Sequence, residues 1–503
     1  MSRFPAPARC ACRLTPLAFV LLTGPGSAAG QEPELYLSAT EKLDYRRLHQ
    51  GVERQEALRN RLEVSAYRGA FSAWVRLETR QASNVARYDP FAFLDQAGGE
   101  GPRVDETEVS RRSFTFADDS FRGTAGDFSF IFGRGLLFAA FENEELSFDT
   151  RLEGVHGVLD HELGSAQALA GSHQGNRFRG VFVERSGWGP MRVGAGFVEA
   201  WGAESGTNIR QREQDYGGLT EIECGPLSLY GEYVERRFSS GGGAEGPGHG
   251  GFVSGVLSYE GFTLSGEYRD YFRFEHEFHD PPTALKQHTW TLLNRLNGEV
   301  QGDINDNDVE GLLAEMSYSP DLFTSLRASF SRAGKDLAGD DYWELYGEAK
   351  TTWQEKVFLT GAAAESELTT GTLFDERLAG FGEVIVELDE VQSLTANVEW
   401  SEVRETDEVT RAYLLPRDYR DRLFSLSYGR SPWLNLTLAY EDTTDETETR
   451  DDWFSVLAEI SLADHHDLNI GYGSERGGWK CSGGVCYYEP EFEGLKVRWV
   501  ARY

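Results

Sequence analysis

The carboxyl end reads EFEGLKVRWVARY, Glu491 to Tyr503, and its reading decides the fold. Leu495, Val497, Trp499, Ala501 and Tyr503 fall on one side of a period-two strand, while Lys496, Arg498 and Arg502 fall on the other. One face suits lipid and the other suits water. The competing reading is the last strand of a soluble sandwich, which also alternates.

The same pattern recurs upstream. After short turns the chain reads MRVGAGF from Met191, LSLYGEY from Leu227, FTLSGEY from Phe262, LTANVEW from Leu394 and LNLTLAY from Leu434. Apolar or small residues at every second position lead to an aromatic at Phe197, Tyr233, Tyr268, Trp400 or Tyr440. Six residues of strand rise roughly 20 Å, which after tilting is a little less than an apolar membrane band about 25 Å tall. The repeated aromatic therefore predicts an interfacial girdle, and a sandwich has no reason to fix an aromatic at one height.

Connections sort into two lengths that alternate along the chain. Eleven short turns run from Arg68-Gly69 to Asp464-His465, and variable stretches such as 82 to 107, 276 to 307 and 476 to 491 fall between them. An up-and-down barrel requires this, with short turns periplasmic and long loops outside. The count predicts 24 strands if a weak strand near residues 34 to 41 is the first, and 22 otherwise. The expected organisation is a signal peptide over 1–30, an amino-terminal segment over 31–58 and a transmembrane barrel over 59–503.

The leader carries Arg3, Arg9 and Arg13, then LTPLAFVLL, then GPGSAAG, where Ala29 or Gly30 suits signal peptidase. Cys10 and Cys12 precede the apolar stretch, so neither serves as a lipoprotein cysteine. Without the three leader arginines, 46 basic residues face 82 acidic ones, a mature charge of about −36 that excludes nucleic acid as a partner. The mature chain has no run of 18 apolar residues, and the mean hydropathy of −0.46 over all 503 residues fits strands that meet lipid at alternate positions. The 56 glycines and 13% aromatics beside 16 prolines favour strands joined by turns.

Three cysteines remain after the leader. CSGGVC places Cys481 and Cys486 at the ends of a glycine-rich turn, and export into an oxidising compartment predicts a disulfide between them rather than a metal pair. Cys224 is expected beside Ile222 on the membrane face. Glu267, Arg269, Glu399, Glu441, Arg498 and Arg502 are expected to face inward and keep the lumen aqueous.

Two loops carry candidate site residues. In HDPPTALKQHTWTLLNRLN, Asp280 suits a cap, Pro281 and Pro282 a first turn, and Leu285, Thr289, Leu292, Leu293 and Leu296 share a face, which predicts a helix near 281–297. Folded into the mouth it narrows the pore with His276, His279, Asp280 and Arg295; the alternative is a helix lying across the outer loops. In FGRGLLFAAFENEELSFDTRLEG, Arg134 opposite Glu142, Glu144 and Glu145 predicts a transverse field, and the alternative is a kinked strand end with a solvated acidic loop.

Asp303, Asn305, Asp306, Asp308 and Glu310 offer the oxygen ligands that Ca²⁺ prefers, although the stretch lacks the EF-hand glycine and its next acid, Glu315, falls at position 13 instead of 12. A solvated turn is the competing reading, and no other cofactor is expected. HEFHD lacks the HExxH spacing and no G-x-S-x-G appears, so the chain is not expected to be an enzyme.

The terminal strand resembles that of Gram-negative outer-membrane β-barrels. Together with the two loops and the CSGGVCYYEPEFEG hairpin, the chain resembles a family of large outer-membrane β-barrels without assigned function. The resemblance implies the barrel and carries over no functional residue.

The expectation is thus an all-β, antiparallel, multi-pass barrel of about 24 strands in the outer membrane. It would act as a porin-like channel for passive passage of small polar or ionic solutes, cation-favouring if the acidic excess lines the pore. Its expected partners are outer-membrane lipid, the barrel-insertion machinery and the solutes. The alternative is a structural sheath around a periplasmic or exported partner, such as an electron carrier or a secretion complex. A TonB-dependent transporter needs a plug domain of some 150 residues ahead of a strand pattern that here begins by about residue 60.

Overall fold

The computed structural model describes residues 34–50, 53–82, 104–144, 148–203, 210–239, 247–274, 278, 282–283, 286–295, 308–335, 340–370, 373–407, 417–448, 450–482 and 485–503. Twenty-four strands form one sheet in which every neighbour is antiparallel. The sheet closes on itself, because Leu35–Gln50 pairs with Phe492–Arg502 over nine positions from Thr40↔Arg502 to Leu48↔Gly494. At ordinary strand spacing and tilt, 24 strands enclose a cylinder roughly 45–50 Å across between backbones.

The first strand is sixteen residues long and pairs along its whole length with Glu53–Arg68. The count of 24 therefore holds, while the barrel starts at Leu35 instead of residue 59. The strand looks weak in sequence because EKLDYRRL interleaves lumen charges with the membrane face. Lys42 and Asp44 meet Glu144 and Arg498 inside, whereas Leu43 and Tyr45 lie opposite Trp499 and Val497 outside.

Alternation explains the rest of the wall. In Asn176–Trp188, Val181 and Val183 are about half exposed on the outside while Phe178 and Phe182 are buried inside. Tyr233, Tyr268, Trp400 and Tyr440 all stand on the outer face, as the girdle requires, and Phe197 packs beside Tyr216 there. Cys224 is a free, exposed residue. Among the described residues no helix is long and apolar enough to cross a membrane.

The interior is not empty. Three short hairpins lie outside the barrel sheet: Phe130–Phe132 with Phe138–Ala140, Glu142–Asn143 with Phe148–Asp149, and Gly478–Ser482 with Val485–Glu489. The first two belong to a loop folded inward.

Candidate functional site in the lumen

The first in-folded loop leaves the wall after Phe128 and returns at Leu152. Its apolar half, Phe130, Phe132, Leu136, Leu137 and Phe138, is buried against lumen-facing Leu169, Phe178, Phe182, Val198, Leu219 and Val234. Close approach is possible because the wall carries glycine there: a Cβ on Gly196 would meet Leu137 at 2.6 Å, and one on Gly217 would meet Leu137 at 3.2 Å.

A buried wall carboxylate fixes the tip of this loop. Glu232 accepts hydrogen bonds from the backbone N–H groups of Arg134 (2.8 Å) and Leu137 (3.3 Å) and from the Tyr230 hydroxyl (2.6 Å). Gly133 turns through φ +59°, and a Cβ there would sit 2.4 Å from Glu232 Oε2. The Arg134 guanidinium lies over Tyr230 and Phe252, 4.6 and 5.1 Å from the ring centroids.

The acidic half reaches the opposite side. Glu142 pairs with Arg76 through Nη1–Oε1 at 2.5 Å and Nη2–Oε2 at 3.0 Å, and with Arg151 at 2.9 Å. Glu144 lies 2.7 Å from Lys42, 3.3 Å from Arg61 and 3.2 Å from Arg76. Asp149 pairs with Arg111 at 2.5 Å and Arg151 at 3.0 Å. Burial alone would raise the pKa of Asp149, but the Arg151 and Arg111 guanidinium groups outweigh it and hold the carboxyl at about 2. Burial likewise opposes Lys42, Arg61 and Arg76 at Glu144, which ends below the usual carboxylate range.

Between this hairpin and the wall lies a cavity of about 580 Å³ bordered by the turn at Gln174 and Gly175. Six arginines line it, Arg59, Arg61, Arg76, Arg80, Arg111 and Arg151. Buried Glu78 holds Arg59 at 2.5 Å and Arg80 at 2.9 Å.

The second in-folded segment follows the inner wall further round. Its Phe278 joins the apolar cluster and its carbonyl accepts from Ala139 N–H at 2.7 Å, tying the two loops together. Lys286 then reaches Glu315 at 2.5 Å and Ser329 at 2.8 Å, His288 reaches Glu344 at 2.8 Å, and Trp290 stacks on Phe381 with its Nε1 donating to Tyr346. These alternate-residue anchors hold a non-helical chain over 286–290. The helix expected over 281–297 is accordingly confined, among the described residues, to 291–295, where the Glu399 carboxylate accepts from Thr291 and Leu292 N–H at 3.2 and 2.8 Å.

Arg295 ends the segment in a two-pronged pair with Glu441 at 2.5 and 3.2 Å. Nearby Arg476 bonds Asp421, Glu441 and Glu448. Burial works against its charge, yet the three carboxylates raise its pKa.

The expected opposition of Arg134 to Glu142 and Glu144 gives way to a different sorting. Arg134 packs on rings at one end of the loop, and the carboxylates pair with other arginines at the other end. The stretch between them, Leu136, Leu137, Phe138, Ala139 and Ala140, is apolar and buried, so it separates the two ends. Of the second group, Arg295 lies on the lumen wall, while His276, His279 and Asp280 fall outside the described residues, as does Glu145. Glu267, Arg269, Glu399 and Glu441 face inward as expected.

In the Ca²⁺ stretch, Asp303, Asn305 and Asp306 lie outside the described residues. Asp308 accepts from Arg273 N–H at 2.7 Å and Glu310 from the Tyr268 hydroxyl at 2.9 Å, so both are engaged. Among the described residues no group of His, Cys, Asp and Glu is placed to hold a metal. Cys481 and Cys486 stand directly opposite each other in their hairpin; their side chains are outside the described set, as are residues 1–30.

Sequence reasoning passed over Glu232 and the Arg76 cluster. A signal was present in RGVFVE, where Val181, Phe182 and Val183 are apolar in succession. A wall apolar on both faces has something packed inside it.

Residues 418–503 match the profile of a family of unknown function (DUF6029). No curated protein matches the sequence. Among solved structures, the siderophore receptor PirA from Pseudomonas aeruginosa is 10% identical with a TM-score of 0.45, over 94% of this chain and 81% of that one. The FrpB iron transporter from Neisseria meningitidis is 10% identical with a TM-score of 0.43, over 93% and 81%. The translocation pore of the P pilus usher PapC is 10% identical with a TM-score of 0.41, over 93% and 99%. By its own closure, apolar outer belt and charged interior, the chain is a large outer-membrane β-barrel.

Proposed function

We propose that this barrel is a porin-like channel of the Gram-negative outer membrane, passing small polar or ionic solutes down their gradients through a lumen narrowed by its own loops. The observation that supports the reading is the sorting inside the barrel. Apolar loop residues pack on one sector, while the ion-bearing sector keeps a cavity of about 580 Å³ beside the outer turn at Gln174. Water-filled passage along charged walls needs such a sector, and wall charge then sets selectivity. A sheath around a folded partner needs a cleared bore, which the loops reaching from Lys42 to Glu441 oppose.

Bilayer recordings on the purified chain test this. Wild-type protein should give small, steady ion currents, and removing residues 282–295 should raise the conductance. Silence from both proteins would reject the channel, and stable co-purification of a periplasmic protein from native membranes would favour the sheath.

A further inference from the structure

The arginine sector contains more recognition chemistry than a passive wall needs. We infer that Arg61, Arg76 and Arg111, with Lys42, form a binding site for a small multivalent anion, and that the carboxylates of Glu142, Glu144 and Asp149 occupy it here as a tethered stand-in. This deepens the channel reading by naming a solute class. It rests on that reading for what happens to the anion after binding, and not for the binding itself.

The loop carboxylates are held as a ligand would be held. Glu142 meets Arg76 through both guanidinium nitrogens, the fork geometry that fits carboxylate and phosphate alike. Glu144 gathers three cations, Lys42, Arg61 and Arg76, from three different strands. Asp149 adds Arg111. These carboxylates therefore trace an extended anion against the wall.

The wall is basic without them. Setting aside the loop residues, the cavity is lined by five arginines, Arg59, Arg61, Arg76, Arg80 and Arg111, against three carboxylates, Glu78, Glu108 and Glu153; behind the lining Glu63 pairs with Arg76 at 2.6 Å and Asp127 with Arg111 at 3.5 Å, so with Lys42 six cations face five wall carboxylates. Lys42 lies within reach, and this happens in a chain of net charge −33. Guanidinium groups stay charged at any physiological pH, so the excess is permanent. Arg61 is buried and its Nε has no hydrogen-bond partner, which leaves donor capacity that the stand-in does not fill.

The stand-in is also exchangeable. Its two strands are two residues each, and the apolar cluster that roots the loop ends at Ala140. Beyond that point, a Phe141–Phe148 ring contact, backbone bonds at Thr150 and the ion pairs hold the hairpin. The adjoining cavity borders the turn at Gln174 and Gly175, on the loop side, so a soluble anion reaches the arginines from outside. The expected solute class is phosphate-bearing or polycarboxylate molecules, and the site should reverse the cation preference that total charge implies.

Calorimetry with pyrophosphate on the detergent-purified full chain tests the site. Neutralising the stand-in with Glu142→Gln and Glu144→Gln removes the competitor and keeps its shape. The double variant should bind pyrophosphate about tenfold or more tighter than wild type, since each lost charge-assisted contact is worth that order. Adding Arg76→Gln should remove the gain. Equal affinity in wild type and double variant, with both running as folded, heat-modifiable barrels, would overturn the proposal. Hydrogen exchange on the wild type gives a readout free of folding defects: pyrophosphate should speed exchange across residues 141–150, and unchanged rates at saturating pyrophosphate also overturn it. Binding without any bilayer current would reject the channel and leave the site, whereas current without binding would reject the site alone.

Discussion

Replacing Glu232 with alanine should release the tip of the first loop while leaving the barrel closed. The wild-type carboxylate accepts from Arg134 N–H, Leu137 N–H and the Tyr230 hydroxyl, and it is buried. Hydrogen bonds to a charged acceptor contribute about 1.5–3 kcal/mol each. Losing the two loop bonds alone therefore lowers the free energy of local opening by about 3–6 kcal/mol. Water entering the vacated space recovers part of this, so the lower bound is the safer expectation. It corresponds to exchange of the Arg134 and Leu137 amides about a hundredfold faster, since each 1.4 kcal/mol is tenfold. Hydrogen exchange of peptides covering 130–140 measures it directly, with a distant wall peptide from Val357–Thr370 as the internal control. Unchanged exchange at 130–140 would mean that the apolar cluster alone seats the loop and that Glu232 is incidental. Faster exchange in both peptides would mean that the barrel itself had loosened.

Three other outcomes follow from the same geometry. The depressed pKa of Asp149 contributes stability above the ordinary Asp value near 3.9, and this is lost as pH falls toward about 2, so protection of residues 141–150 should decline over that window and decline less steeply in Asp149→Asn, where Glu144 still titrates. Gly133→Ala places a side chain at φ +59° against Glu232 and should weaken the loop by roughly 1–3 kcal/mol, visible as faster exchange at 130–140 with unaltered barrel melting. We expect Cys481 and Cys486 to be joined, since residues directly opposite on antiparallel strands have the spacing a disulfide needs; the mature chain should take one alkyl group before reduction and three after.

The outer face of this molecule was readable because lipid imposes one rule on it. Every second residue from Leu495 to Tyr503, and each aromatic from Phe197 to Tyr440, answers to the same solvent, so period and position suffice. The inner face obeys no such common rule. Glu232 and Glu235 look alike in LYGEYVER, yet parity sends the first inward to hold a loop almost a hundred residues away and the second outward beside Arg237. Parity is legible; the partner across the lumen is not, because nothing local to Arg134 encodes Glu232. The helix expected near 281–297 failed for a related reason. Its leucine spacing was genuine, but Lys286, His288 and Trp290 each found a partner on the wall at alternate positions, and those contacts override helix propensity over 286–290. Total charge misled in the same way, since the acidic excess of the chain gives no hint of five arginines gathered on one wall of a cavity.

The seam between Leu35–Gln50 and Phe492–Arg502 makes the two ends of the chain a single mechanical unit. Asp44 and Arg498 are 454 residues apart in sequence and bonded at 2.7 Å. Cutting away the strand Phe492–Arg502 would not shorten a tail; it would split the hoop and turn two long strand edges toward hydrocarbon, where unpaired backbone groups cost several kcal/mol each. Truncation at this terminus is therefore an all-or-none event for the whole wall.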